Sequence, residues 1–196
     1  MIDGFLKFLE FGLYHIVSFS SYDHILFLVV LTVPYAFKDW TRLLLLVSFF
    51  TLGHTLSLLL GVYDIINLKV NVVEWLIPFT IIIMALYNIF TVGKASKKSN
   101  PIIIVCLVLF FGLIHGLGFA NSFEAVVGSD ESTLLSIIEF ALGIELGQFV
   151  IVFSVLFFGF LGQTIFRLSS RDWVMVLSAV VIGLMLPLIV DSPLFY

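Results

Sequence analysis

The sequence predicts an all-α, polytopic integral membrane helix bundle of six or seven transmembrane helices, forming one domain over residues 1–196. Three observations carry that expectation. Only 11% of the residues are charged and 61% are hydrophobic, whereas soluble domains carry about 25% charged residues. Apolar stretches follow one another almost without pause, several of them long enough to supply the ~20 residues that a helix needs to cross the hydrocarbon core. No stretch alternates at period two, so helices rather than a barrel must satisfy the backbone groups in lipid.

The elements follow in order. A first apolar segment, 4–19, is interrupted by Lys7 and Glu10, which suits a helix at the interface or one that enters only partly. The second, 24–37, has an apolar part of only about 20 Å at 1.5 Å per residue, short of the ~30 Å core. Asp23 and His24 at its start are therefore expected below the surface. Five longer segments follow, at 40–62, 71–93, 101–121, 134–163 and 173–190. Gly112 with Gly116, and Gly143 with Gly147, are spaced to let helix backbones approach closely.

Basic residues give an orientation. Lys38 and Arg42, then Lys94, Lys97 and Lys98, then Arg167 and Arg171 occupy alternate connections and are expected in the cytoplasm. The opposite connections hold Asp64 with Lys69, then Glu124, Asp130 and Glu131, and the tail carries Asp191, so the C-terminus is expected outside. No basic start with a small-residue cleavage site opens the chain, so no secretory leader is expected. The single cysteine, Cys106, excludes a disulfide framework or a thiolate metal cluster and reads as core filling. The bilayer is the expected surroundings. A nucleic-acid partner is not expected, while a homo-oligomer or accessory subunits are compatible with the sequence.

With orientation taken from the basic residues alone, His15, His24, His54 and His115 all fall in the outer half of the bundle. Ionisable residues inside a membrane are costly and tend to mark function. Imidazole with carboxylate suits a divalent transition metal, and the candidate ligands are His15, Asp23, His24, His54, His115 and Glu145. Thr51, Thr55, Ser57, Gln148, Glu74 and Asn88 are the candidate supporting partners. Each lone histidine has a plainer reading as a hydrogen-bonded residue between helices; the convergence of four makes a metal site the stronger one.

The motifs HIVSFSSYDHILFL, TLGHTLSLLL, VEWLIPFTIIIMALYN, FGLIHGLGFA and LGIELGQ, in this order over roughly residues 12–150, resemble the HupE/UreJ family of bacterial membrane proteins. The resemblance implies nickel or cobalt handling, often as a secondary metal permease in the bacterial cytoplasmic membrane. It also implies functional roles for His15, Asp23, His24, His54, Glu74, Asn88, His115, Glu145 and Gln148. Nickel-permease members resemble H-x5-D-H, whereas seven residues separate His15 from Asp23 here. The chain is thus similar to a second, less characterised branch.

Two functions lead, with a non-enzymatic metal sensor or accessory subunit of a larger assembly as a third. A transporter of a divalent ion (Ni, Co or Zn) would capture it at the outer half and needs a polar route inward. Below Glu145 that route has only Asn88, Ser48, Ser154 and Thr91, with Pro78 as a place for a broken helix. The alternative is an intramembrane zinc hydrolase acting on a lipid or lipid-linked substrate, with Glu145 or Asp23 as general base. That reading resembles, in architecture only, the seven-helix ceramidase and adiponectin-receptor-like superfamily, with Ser18, Ser20 and Ser21 near Asp23.

Overall fold

Helix is the only regular structure among the described residues of the computed structural model, which are 2–66, 68–93, 101–127 and 132–192, without the side chains of 2–5, 20, 101 and 121. The α-helices are α1 (Ile2–Val17), α2 (Tyr22–Thr32), α3 (Trp40–Val62), α4 (Val70–Thr91), α5 (Pro101–Glu124), α6 (Thr133–Thr164) and α7 (Ser170–Val190). Helices α3 to α7 are each long and apolar enough to cross a membrane. This is a membrane protein.

Taken together, the first two helices are also long and apolar enough to cross, as a pair with a 69° bend at the break. Their contacts run down α5 in step: Phe8 meets Phe123, Phe11 meets Phe119, His24 meets His115 and Phe27 meets Phe111. Segments 4–19 and 24–37 are therefore not two spans but two halves of one. The break falls in a short 3-10 turn, Phe19–Ser21. Polar Ser18, Ser20 and Ser21 interrupt the apolar run there, and the backbone N–H of Ser21 donates to the carbonyl of Ser18 at 3.0 Å, a tighter turn than the helix ladder.

Helix α2 also stops earlier than its apolar run. Pro34 has no N–H to give to the carbonyl of Val30. Asn88 Nδ2 from α4 takes that place, donating to Val30 O at 2.6 Å. Helix α4, by contrast, runs continuously through Pro78, so the expected break at this proline is absent. At the start of α7, Ser169 Oγ accepts from the backbone N–H of Asp172 at 3.0 Å, an N-cap.

Close packing follows the glycines. Helices α3 and α5 lie side by side and run in parallel, as do α1 and α6. A Cβ on Gly112 or Gly116 would collide with the carbonyl of Phe50 or His54, and one on Gly143 with that of Leu9. Both expected glycine pairs therefore sit where backbones touch. Gly12 and Gly53 answer from the other side of each pair.

Lys38, Arg42, Arg167 and Arg171 lie at one end of the bundle, and Asp64, Glu124 and Asp191 at the other. Lys94, Lys97, Lys98, Asp130 and Glu131 lie outside the described residues. Cys106 is exposed on the outer face of α5 and does not fill the core.

Candidate metal centre

Four histidines reach one layer from four helices: His15 at the end of α1, His24 at the start of α2, His54 on α3 and His115 on α5. The last two lie about 12–14 Å before the ends of their helices, counted at 1.5 Å per residue. Ring centroids are 4.8 Å apart for His15 and His24, 5.1 Å for His24 and His115, and 5.9 Å from His54 to His15 and to His24. One donor atom each from His15, His24 and His54 falls within 4.8 Å of the others. Imidazoles on one ion, with bonds of about 2.0–2.1 Å, hold their donors roughly 3.3 Å apart. Small side-chain rotations span the difference.

The local fold selects which nitrogen each ring offers. His115 Nδ1 lies 2.8 Å from the carbonyl oxygen of Phe111, one turn back. A carbonyl only accepts, so the proton sits on Nδ1 and the lone pair on Nε2. His24 Nδ1 lies 3.1 Å from Asp23 Oδ1, which places its lone pair on Nε2 in the same way. Carboxylate or carbonyl behind an imidazole is the usual support of a metal-binding histidine.

Five of the other nitrogens have no partner. His15 Nε2, His24 Nε2, both nitrogens of His54 and His115 Nε2 are buried without a hydrogen-bond partner. An unsatisfied buried polar group costs about 1–3 kcal/mol, so five at one place form an unusual concentration. A cation satisfies several imidazole lone pairs at once, and the donor set fits Ni, Co or Zn.

Two groups of phenylalanines close the layer. Toward the acidic end, Phe119 and Phe140 stack with centroids 5.2 Å apart, backed by Phe8, Phe11 and Phe123. Toward the basic end, Phe27 stacks on Phe50 at 4.7 Å and meets Phe111. The histidines lie between, with His15 against Phe119 and His115 against Phe50. His54 is 0% and His115 1% exposed, and His15 is half-buried.

A family model described as HupE / UreJ protein matches residues 1–190. The chain belongs to the HupE/UreJ family. Among curated proteins and among solved structures, no match was found.

In this HupE/UreJ protein the remaining candidate residues divide. Asp23 holds His24 in place, with its Oδ1 engaged there. Thr51 and Gln148 sit one turn beneath His54, joined by a hydrogen bond of 2.9 Å. Glu145 is half-buried and is not brought into the cluster; it accepts from the Ser48 hydroxyl on the outer side of the α3–α6 crossing. Ser57 donates to the carbonyl of His54 at 3.1 Å, supporting backbone rather than ring. Thr55 Oγ1 is buried without a partner. Glu74 is exposed near the start of α4, and Asn88 ties α4 to α2; neither joins the cluster. Ser154 and Thr91 donate to carbonyls of their own helices.

Sequence reasoning missed the two aromatic closures and the broken crossing. Phe supplies 22 residues, which was a signal of composition but not of place. Glu139, buried on α6, was also passed over.

Proposed function

We propose that this protein carries a divalent transition metal, of the nickel, cobalt or zinc type, across the bacterial cytoplasmic membrane. His15, His24, His54 and His115 are its binding station. The observation that carries the reading is the set of buried imidazole nitrogens without partners, gathered from four helices. The broken α1–α2 crossing adds to it, because transporters commonly place their sites where a discontinuous helix meets its neighbours. Closures on both sides of the histidines fit an occluded state, in which cargo reaches neither end.

The positive-inside rule sets the basic end in the cytoplasm and the C-terminus outside. Toward the basic end, the polar residues nearest the station are Thr51 and Gln148, then Ser48 and Glu145, at the α3–α6 crossing. Cargo is favoured over catalysis by the carboxylates. Asp23 Oδ1 is engaged with His24 and Glu145 with Ser48, and neither carboxylate is among the residues gathered as one donor group.

Vesicles reconstituted with the wild type, with Glu145→Gln and with no protein test the reading. Wild type should take up Ni, Co or Zn above the protein-free level, and Glu145→Gln should slow entry while its bound-metal stoichiometry persists. Equal entry into all three, across Ni, Co, Zn, Mn and Fe, would remove transport as the function.

A further inference from the structure

We propose that Gln148 turns its amide oxygen, not its NH2 group, toward the histidine cluster, and that this oxygen is a further ligand of the same divalent cation. The inference rests on the cluster being the metal station proposed above. It begins with one proton. Thr51 Oγ1 lies 2.9 Å from Gln148 Oε1 and 3.2 Å from the carbonyl of Val47. A hydroxyl has a single hydrogen, so it can serve both acceptors only by dividing that hydrogen between them. Meanwhile Gln148 Nε2, on a side chain with 0% exposure, has two protons and no acceptor.

Rotating the amide by half a turn eases both faults, giving one Nε2 proton an acceptor, since its oxygen and nitrogen are nearly interchangeable in shape. Nε2–H then donates to Thr51 Oγ1, and the Thr51 hydroxyl donates to Val47 O. Each of these hydrogen bonds has one donor and one acceptor. What remains is the carbonyl oxygen, in the place where the stranded NH2 group had been.

The neighbours of Gln148 adjoin the cluster on two sides. Thr51 lies one turn from His54 on the same face of α3. On α6, Gly147 packs against Ile16, the residue that follows His15. A carbonyl oxygen entering here joins imidazole nitrogens that already lack partners. A set so rich in lone pairs is completed by a cation. Adding a harder oxygen to the imidazoles favours Ni, Co and Zn over the softer Cu(I).

The test uses the purified full chain in detergent, loaded with Co or Ni alone, and X-ray absorption at the metal edge. Gln148→Met places a thioether at nearly the same reach. It should show a sulfur scatterer absent from the wild type, while Gln148→Leu should lower Co affinity by about tenfold or more. Gln148→Glu keeps an oxygen ligand, so it should bind Co at least as tightly as wild type and serves as the folding control. Metal in the wild type, with no sulfur in Gln148→Met and undiminished affinity in Gln148→Leu, overturns this inference and leaves the station standing. A wild type that holds no metal overturns the station itself, and the ligand with it.

Discussion

Asp23 and His24 are neighbours in the chain whose side chains turn toward each other, with Oδ1 and Nδ1 3.1 Å apart at the head of α2. The break before α2 makes this geometry available, because Asp23 lies in its first turn, where free backbone N–H groups favour a carboxylate. Asp23 therefore holds His24 Nδ1, while His24 Nε2 is left without a hydrogen-bond partner.

Replacing Asp23 with Asn should then weaken metal binding without abolishing it. Loss of such a supporting partner typically costs about 10–100-fold in affinity. His24→Ala should cost more, since it removes a donor outright. Calorimetric titration of both variants with Co checks the order; equal losses would make Asp23 a ligand in its own right.

Glycine packing gives a second expectation. Gly143→Val drives a side chain into the carbonyl of Leu9, and overpacking of this kind costs about 1–3 kcal/mol. Gly183 has nothing within 4 Å of its would-be Cβ. Gly183→Ala should be neutral, or stabilising by up to about 1 kcal/mol through helix propensity. Thermal unfolding in detergent should separate the two by several degrees.

Asn88 separates a structural role from a site role. Asn88→Leu strands the carbonyl of Val30, which Pro34 cannot serve, at a cost of about 1–3 kcal/mol. Stability should fall while metal affinity stays at the wild-type value. A large loss of affinity with unchanged stability would return Asn88 to the metal path.

Orientation is open to labelling. With Cys106 replaced by Ser, a cysteine at Val126 should react in intact cells with a membrane-impermeant thiol reagent. One at Lys38 should react only after the cells are opened. The reverse pattern would invert the bundle and with it the direction in which cargo meets the two closures.

Much of this protein was legible from composition and spacing. Burying unpaired backbone in lipid is so costly that long apolar runs become helices whatever their neighbours, so α3 to α7 could be read one by one. The glycine pairs and the shared depth of the four histidines were legible for a similar reason, since helical rise turns sequence position into height. Height does not give direction around the helix axis. Glu145 and Gln148 are three residues apart on α6, yet one meets Ser48 outside the α3–α6 crossing and the other meets Thr51 within it. The single crossing formed by α1 and α2 was hidden too, because each half alone is too short to span and the serines between them look like a loop. Which nitrogens face the cluster, which carboxylates are already engaged and which phenylalanines close it depend on contacts between helices far apart in the chain. Those contacts exist only after the backbones have met at Gly112, Gly116, Gly143 and Gly147, where the absence of a side chain fixes how near, and at what rotation, the helices pack.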